Sequence, residues 1–586
     1  MGVGVLSAGM GEVSASQTYL DVGQGARIPD SLYDRALPPL RFGEPSGDPP
    51  RVPPSTWQEV RDRASSAPAD VVPGLLGRAL YRHEVSTRVD PGTGQAGLVL
   101  AGRRGAVVQT GCLDRACPTA TVTSADPGRL RELLRGLRGD DLLIALERPP
   151  PATDHGLALG IAGRGFDGTL TSDSTRMRGY VVSTDLAPTI LERLGIPVPG
   201  EMTGEPIETD GHADAAYVQE LQARLAEIGP RRVPVIGVSV LVWLGLTALA
   251  AAAFRREGLR VALTVLATTL ALVPAVLLVC AAIQPSELGE RLIVGIGCPS
   301  LAVLALWFAP GARGLAIAAA ASVGAFGIDV IAGSHLTELS LIGPNPIEGV
   351  RFYGIGNELE ATFAALIPIG TGAALTGWAP RTTPRMAALA FGATGLAGIA
   401  VFAPGRFGAD VGAAIAISIG AAVAIGICLG ARRWRWVWVI AVPVAALAAL
   451  VAADLVSGGD AHLTRSVLDA GGLGDVGQVF QRRLELSAHS FARYAGSAIF
   501  WIVIGLIVAG LLAWRSVRGW FRARDALWAG FAGAIGGTVA GTLANDSGAL
   551  LLMIGAVLCV ATAGVAWATH DEHRPPGVWR PTGPVT

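Results

Sequence analysis

The chain has 586 residues, of which 51% are hydrophobic and 16% are charged, and its mean hydropathy is +0.47. The formal net charge of −1 identifies no charged partner, and we find no nucleotide-binding loop, nucleophile elbow or basic patch for nucleic acid. A polar front third is followed by a very apolar remainder, which excludes a single soluble domain.

Residues 1–232 are predicted to form one soluble α/β domain. Short strands are expected at Gly97–Ala101, Thr119–Thr123 and Asp141–Leu146. The spacing of apolar residues indicates amphipathic helices at Pro127–Leu137 and Ala213–Ile228.

Two cysteines of this domain, Cys112 and Cys117, lie close together in the chain. In an oxidising exterior they could close a small disulfide loop or remain thiols, because their spacing does not fix the geometry that a disulfide needs.

The segment Ser183–Pro199 reads STDLAPTILERLGIPVP. This string resembles the C-terminal segment of the alkaline phosphatase superfamily, whose fold is shared by sulfatases, nucleotide pyrophosphatases and phosphoethanolamine transferases. The resemblance implies that Asp185 caps a helix with Pro188 in its first turn, and that Leu191 and Leu194 face a sheet. These positions are architectural, so the resemblance implies a fold rather than an activity.

Active members of that superfamily need a metal pair held by Asp and His residues, together with a Ser or Thr nucleophile. The resemblance places the first metal-binding aspartate before Met1. It places Ser14, Ser16 or Thr18 in the nucleophile region, because Gly23–Arg27 is similar to the glycine-bearing loop that follows the nucleophile.

The triplet Asp154-His155-Gly156 is similar to one that carries metal ligands in active members. It stands too close to Asp185 in the chain, and no further His lies between them to complete a site. We interpret it as a surface turn. The domain is therefore expected to be a degenerate, N-terminally incomplete member without metal, used for binding or scaffolding.

About eleven apolar runs follow between Val233 and His570, each separated by a short polar loop. Runs such as Val261–Ile283 and Gly548–Thr569 approach the ~20 residues that a helix needs to cross a hydrocarbon core. Residues 233–570 are therefore predicted to form an all-α bundle of about 11 transmembrane helices, and residues 571–586 a short tail.

Arginines follow the odd-numbered apolar runs, so the positive-inside rule predicts that these loops and the C-terminus are cytoplasmic. They are Arg255, Arg256, Arg260, Arg313, Arg381, Arg385, Arg432, Arg433, Arg435, Arg515, Arg518, Arg522 and Arg524. Residues 1–232 then lie outside. Since Met1–Gly11 has neither a basic n-region nor an apolar h-region, we expect a leading transmembrane or signal segment upstream of Met1, or else translocation of the N-terminal tail by the first span.

Three outward loops each place a carboxylate where a helix begins. The loops are Gly343–Glu360, Pro404–Gly412 and Leu543–Leu551, and the carboxylates are Glu358, Asp410 and Asp546. Charged groups near hydrocarbon are costly, so they are functional candidates. Gly354 and Gly356 predict a tight re-entrant turn in the first loop.

Asp329 and Asp454 stand near the outer ends of two other spans, and each is followed by a Gly-rich stretch and a His-Leu pair. This similarity suggests an internal repeat, and repeats in membrane proteins often place a working site at their interface. The full predicted substrate-binding set is Arg351, Tyr353, Asn357, Glu358, Asp410, Asn545, Asp546, Asp329, Asp454, His335 and His462.

Such a set could bind a divalent cation, relay protons or hold the hydroxyls of a lipid-linked glycan. The alternative for each acid is helix capping. No cofactor is evident beyond that cation, no metal ligand is assigned, and the expected partners are the bilayer and a lipid-linked phosphate or glycan.

The strings RFYGIGNE, GADVG and NDSG resemble those of uncharacterised bacterial polytopic proteins that join an alkaline-phosphatase-like ectodomain to many spans. The resemblance implies a bacterial cytoplasmic membrane. Two functions remain open. One is an envelope-biogenesis protein that binds or transfers a phospho- or glyco-lipid group at the outer face, an arrangement similar to that of eukaryotic enzymes that add phosphoethanolamine to glycolipid anchors. The other is a cation- or proton-coupled transporter or lipid flippase with an accessory ectodomain.

Overall fold

A computed structural model describes residues 1–27, 51–67, 71–107, 118–153, 156–349, 351–430 and 487–570, with a few helical positions between 441 and 448. The chain divides into two compact units. The N-terminal unit comprises Met1–Gly229 and Asn345–Phe352, and the helical unit comprises Pro230–Pro344 and Tyr353–Thr586. Several residues singled out in the sequence lie outside the described residues, namely Cys112, Cys117, Asp154, His155, Arg432, Arg433, Arg435, Asp454 and His462.

The described strands are β1 (Gly2–Ser7), β2 (Val13–Ser14), β3 (Ser86–Val89), β4 (Thr119–Val122), β5 (Leu143–Leu146), β6 (Ala152–Thr153), β7 (Gly156–Ala162), β8 (Thr169–Ser172), β9 (Tyr180–Val182) and β10 (Ile207–Asp210). The N-terminal unit is built on a six-stranded sheet in the order β10-β8-β1-β7-β5, with β9 also paired to β1. Its central strand β1 runs antiparallel to β7 and parallel to β8 and β9.

Helices pack against this sheet, which confirms the predicted α/β class for the N-terminal part. Leu6, Ile161 and Leu170 are fully buried between them. The described helices are α1 (Ala15–Gln24), α2 (Pro54–Ser66), α3 (Leu75–Arg82), α4 (Pro127–Gly136), α5 (Leu186–Arg193) and α6 (Ala215–Arg232).

Most predictions of secondary structure in the N-terminal unit are confirmed, and one is wrong. The expected strands near residues 119–123 and 141–146 and both amphipathic helices are confirmed, with shifted ends. The expected strand Gly97–Ala101 is wrong, because Gly94–Leu100 forms a 3₁₀ helix. Leu98 and Leu100 are buried there. A short apolar run of this kind does not distinguish a buried strand from a buried helical turn.

Asp185 does not cap α5 with its side chain, contrary to the expectation from the sequence. Its buried carboxylate accepts hydrogen bonds from the Ser172 and Ser174 hydroxyls, each at 2.6 Å, and from the backbone N–H groups of Val182 and Glu205, each at 3.0 Å. Burial raises its pKa, and these donors oppose the shift. Asp185 therefore ties β8, β9 and the chain after α5 together.

The helical unit contains eight described helices that are long and apolar enough to cross a membrane, or nine if one bent pair counts as a span. Many apolar helices are compatible with an integral membrane protein. The described helices beyond α6 are α7 (Val238–Ile283), α8 (Glu287–Leu292), α9 (Cys298–Phe308), α10 (Ala312–Ile331), α11 (Asn357–Trp378), α12 (Pro384–Phe402), α13 (Val411–Cys428), α14 (Ser487–Tyr494), α15 (Ala498–Leu512), α16 (Trp514–Trp520), α17 (Asp525–Ala544) and α18 (Gly548–Ala568).

One continuous helical stretch, Ala215–Ile283, has 69 residues. A straight helix of that length would extend about 100 Å, far beyond the ~30 Å of a hydrocarbon core. The backbone of Arg255 is not helical, with φ 50° and ψ −129°, so α7 consists of two helices joined at that residue. The predicted first two spans therefore fall within a single helical stretch.

A glycine stripe on α17 brings three helices of this unit into close backbone contact. Gly530 approaches the carbonyl of Pro368 on α11, and Gly533 approaches that of Gly420 on α13. At Gly533 an added Cβ would lie 2.7 Å from the Gly420 oxygen, so no larger residue fits without movement. Small residues at such spacing are the usual means by which membrane helices approach closely.

A short helix, α14, meets α15 at an angle of 109°, which marks either a broken span or a re-entrant loop. The Ser487 hydroxyl of α14 donates to the carbonyl of Thr542 at 2.9 Å. The backbone N–H of Ala549 donates to the Ser490 hydroxyl at 3.3 Å. The short helix therefore packs at the junction of α17 and α18.

Candidate functional site

A buried carboxylate lies where α11, α13 and the junction of α17 and α18 meet. Glu360, in the first turn of α11, is fully buried. Its Oε2 accepts a hydrogen bond of 2.6 Å from Nδ2 of Asn545. Its carboxylate also packs on Gly412 of α13, where an added Cβ would lie 2.5 Å from Oε2. Both contacts place an ionisable group inside the packed helices.

Asn545 links this carboxylate to further polar side chains. Its Nδ2 also donates to Oδ1 of Asn357 at 3.0 Å, and its Oδ1 accepts from the backbone N–H of Ser547 at 2.8 Å. Asn357 in turn donates to the Ser547 hydroxyl at 2.8 Å, and that hydroxyl donates to Asp546 at 3.2 Å. We call Asn357, Glu360, Asn545, Asp546 and Ser547 the Glu360 network.

The network runs from an exposed group to a buried one. Asp546 is exposed, Asn357 and Ser547 are half-buried, Asn545 is buried and Glu360 is fully buried. A continuous series of hydrogen bonds thus connects the surface of the helical unit to a carboxylate inside it.

The local sequence explains the arrangement on α11. Asn357 and Glu360 are three residues apart and therefore share one face of the helix. Acidic residues in a first turn also interact favourably with the helix dipole. On the other side, α17 ends at Ala544 and Asn545 has extended backbone angles, φ −105° and ψ 147°, so its amide can reach α11.

Glu358, which was predicted to belong to the substrate-binding set, forms an ion pair. Its Oε1 accepts from Arg232 at 2.9 Å, and Arg232 also donates to the carbonyl of Gly343 at 2.9 Å. The two side chains are 24% and 27% exposed. Both residues belong to the helical unit, where this ion pair joins the start of α11 to the stretch that leads into α7. Its partly exposed position makes it a modest contributor to stability.

Asp410 is the N-cap of α13. Its Oδ1 accepts from the backbone N–H of Ala413 at 2.9 Å, and the residue is 2% exposed. The capping alternative therefore describes this carboxylate. Its position still matters for the site, because Gly412, two residues on, packs against Glu360.

Asp329 closes a turn at the end of α10. It accepts from the backbone N–H groups of Leu336 and Thr337, and from the Thr337 hydroxyl at 2.7 Å. His335 in this turn is exposed. The adjacent Glu338 is 3% exposed, and burial together with the charge of Asp329 raises its pKa well above the usual value.

The predicted set is thus only partly brought together. Asn357, Asn545 and Asp546 lie in one network, whereas Glu358, Asp410, Asp329 and His335 have the separate places given above. Arg351 belongs to the N-terminal unit and Tyr353 to the helical unit, so the boundary passes between them. Asp454 and His462 lie outside the described residues.

Sequence reasoning missed Glu360 and Ser547. Glu360 ends the string NELE, one helical turn after Asn357, and that spacing was the available signal. Among the described residues, no group of three or more His, Cys, Asp or Glu side chains is placed to hold a metal ion.

The candidate nucleophile hydroxyls of the N-terminal unit make structural contacts. Ser14 is the N-cap of α1 and accepts from the backbone N–H of Gln17. Ser16 donates to Gln95 at 2.7 Å, and Thr18 is fully buried and donates to the Ser14 carbonyl at 3.3 Å.

A separate polar cluster lies at the end of β1. Arg27 donates to the Ser7 hydroxyl at 3.2 Å, and its guanidinium lies 5.0 Å from the centre of the Phe352 ring. Burial lowers the pKa of Arg27, although Asp21 and Asp185 oppose the shift, and burial raises the pKa of Tyr180 to about 12.

No family model matches this chain, and comparisons with curated proteins and with solved structures find no match.

Proposed function

We propose that this chain is a proton-coupled membrane transporter in which Glu360 binds the coupling proton. The observation that carries the proposal is the complete burial of the Glu360 carboxylate between helices of the apolar unit. Ionisable groups inside membrane bundles are expensive to bury and commonly belong to proton or ion pathways.

The surroundings of Glu360 suit both of its protonation states. The ionised carboxylate is stabilised by the amide of Asn545, which donates to Oε2. The protonated acid is neutral, and this form suits the close packing against Gly412. A change in these contacts would favour either the ionised or the protonated form of Glu360. A proton-coupled transporter requires such a change between its conformations.

The exposed end of the network gives the proton an approach. Asp546 is an exposed carboxylate, and Ser547 donates to it. We infer that protons reach Glu360 from this end with help from water. By the positive-inside rule, this end faces the exterior of a bacterial cytoplasmic membrane and the C-terminus is cytoplasmic.

We infer that the N-terminal unit is an accessory extracytoplasmic domain of the alkaline phosphatase type without a metal pair. The central strand β1, the Ser14-capped helix that follows it and the STDLAPT segment support this assignment. The hydroxyls of Ser14, Ser16 and Thr18 are engaged in local hydrogen bonds, which favours a binding role over catalysis.

A second candidate is the binding of a lipid-linked glycan at the outer face in cell-envelope biogenesis. The amide, hydroxyl and carboxylate groups of Asn357, Ser547 and Asp546 favour it, because such groups hydrogen-bond sugar hydroxyls. A phosphate is a poorer match, since Arg232 already pairs with Glu358. In this second candidate function, the same oxygen atoms would also bind a divalent cation beside the glycan.

The test is infrared difference spectroscopy of the full chain in lipid nanodiscs, titrated from acid to alkaline pH. We expect a carboxylic acid C=O band that disappears in Glu360→Gln and persists in the matched control Glu358→Gln. Liposomes containing the protein should also show a potential-driven proton flux that Glu360→Gln abolishes. An unchanged band and flux in Glu360→Gln would refute the proposal.

A further inference from the structure

An apolar groove lies between the two halves of α7. Residues on both sides of Arg255 line it, from Trp243 to Phe254 and from Glu257 to Thr269, with Pro299 of α9. Its volume is about 550 Å³. This volume is in the range of sites that hold small molecules.

The wall of the groove is mostly hydrocarbon. Leu246, Ala250 and Val265 contribute side chains without polar atoms. The indole N–H of Trp243 donates to the carbonyl of Gly295 at 2.8 Å, so its donor is already engaged. The hydroxyl of Thr247 donates to the Trp243 carbonyl at 2.8 Å. Thr269 and Glu257 are the other polar side chains in the lining. An occupant with a mostly hydrocarbon surface suits this wall.

The length of the groove indicates how deeply the occupant enters the bilayer. In the first half of α7, the lining residues extend from Trp243 to Phe254. The length of the helix axis between these two residues is about 17 Å. This is about half of a ~30 Å hydrocarbon core, which is the depth of one leaflet. The groove thus fits an acyl chain of one leaflet and is too short for a molecule that crosses the membrane.

The turn that joins the two lining stretches carries an excess of positive charge. Arg255 and Arg256 stand between the two lining stretches, next to Glu257, which lines the groove. With Arg260, three arginines accompany this single acid. Arg260 pairs with Glu257 at 3.0 Å, and the guanidinium of Arg256 lies 5.8 Å from the centre of the Trp567 ring. Both Arg255 and Arg256 are exposed. An anionic headgroup complements such a turn.

We propose that this groove is a binding site for an anionic phospholipid, with an acyl chain along Leu246 and Val265 and the headgroup at Arg255 and Arg256. By the positive-inside rule, the lipid belongs to the cytoplasmic leaflet. The site is separate from the Glu360 network and does not depend on the transport proposal.

The experiment uses the full chain, purified and reconstituted with phosphatidylglycerol or phosphatidylcholine of identical acyl chains. Native mass spectrometry measures the lipid retained. We expect retention of phosphatidylglycerol over phosphatidylcholine, with loss of most of the bound lipid in Ala262→Trp, which fills the groove. Leu249→Trp is the matched control, because Leu249 is 63% exposed on the same helix and does not line the groove.

Headgroup contacts are tested with arginine variants that do not alter the groove wall. We expect Arg255→Gln and Arg256→Gln to weaken phosphatidylglycerol binding about fivefold each, whereas Arg381→Gln, exposed in another loop, leaves it unchanged. Equal retention of both lipids, or no effect of the groove and arginine variants, would overturn the proposal.

A photo-crosslinkable phosphatidylglycerol with a diazirine in its acyl chain keeps the test decisive if Ala262→Trp fails to fold. We expect adducts concentrated between Trp243 and Thr269 in the unaltered protein. Adducts spread evenly over the apolar helices would contradict a specific site. Crosslinks from this groove to a second copy of the chain in place of lipid would contradict it as well.

Discussion

The side-chain amide of Asn545 donates to the carboxylate of Glu360 at 2.6 Å, and this contact joins the junction of α17 and α18 to the first turn of α11. Both residues are buried, at 8% and 0% exposure. The two positions are 185 residues apart in the chain. The contact therefore depends on the packing of the helical unit as a whole.

Replacing Asn545 with Ala should destabilise the protein by about 1–2 kcal/mol, because the buried Glu360 carboxylate loses a donor. The measurement is the thermal midpoint of the full chain in detergent. Asp546→Asn is the matched control, since Asp546 is adjacent and exposed, and we expect its midpoint to stay close to that of the unaltered protein. Equal midpoints for the two variants would contradict a structural role for the Asn545 amide.

Some of this site follows from local sequence and some does not. Asp410 precedes an apolar run, and helix capping was among its expected roles, since a cap needs only neighbouring residues. The burial of Glu360 depends instead on which helices meet around it. Close contacts at Gly412 and Gly533 decide that, and such contacts cannot be derived from spacing along one helix.

For the fold as well, local features were predicted from the sequence, whereas contacts between distant residues were not. Long apolar runs identified membrane-type helices because length and composition are local properties. The segment Asn345–Phe352 was assigned to an outer loop of the bundle, yet it belongs to the N-terminal unit. A Cβ on Gly349 would overlap the carbonyl oxygen of Gly9, a contact between distant parts of the chain. Arg351 therefore belongs to the N-terminal unit, and the predicted substrate-binding set includes residues of both units.

Gly533→Ala should lower the stability of the helical unit by about 1–3 kcal/mol, because its Cβ would press on the Gly420 carbonyl and on Pro368. The control is Gly324→Ala on α10, where no atom lies within 4 Å of the new Cβ. There the higher helix propensity of Ala should leave stability unchanged or raise it by up to about 1 kcal/mol. Thermal midpoints that fall equally in both variants would exclude close packing as the cause.

Asp185→Ala should loosen the N-terminal unit, because it removes the shared acceptor of four donors. These donors lie on β8, in the turn after β8, on β9 and in the chain after α5. We expect a loss on the order of 3 kcal/mol. Hydrogen exchange of amides in Thr169–Ser172 and Tyr180–Val182 should accelerate. Asp173→Ala, exposed beside the same strand, should leave exchange unchanged. Unaltered exchange in Asp185→Ala would show that other contacts hold these strands.

Glu338 should make the stability of the protein depend on pH. Burial and the charge of Asp329 raise its pKa in the folded chain above the ordinary value of 4.5. Between 4.5 and the folded pKa, the unfolded chain releases this proton while the folded chain keeps it. The unfolded state therefore binds fewer protons in this window, and stability falls as pH rises through it.

Glu338→Gln removes this titration while keeping a similar shape. We expect thermal midpoints of the full chain to decline less between pH 4.5 and neutrality in this variant than in the unaltered protein. The matched control is Glu257→Gln, because the Glu257 side chain is 78% exposed and its replacement should leave the slope unchanged. If Glu338→Gln and Glu257→Gln give the same slope as the unaltered protein, Glu338 is ionised in the folded chain at neutral pH, and the turn after α10 accommodates two negative charges.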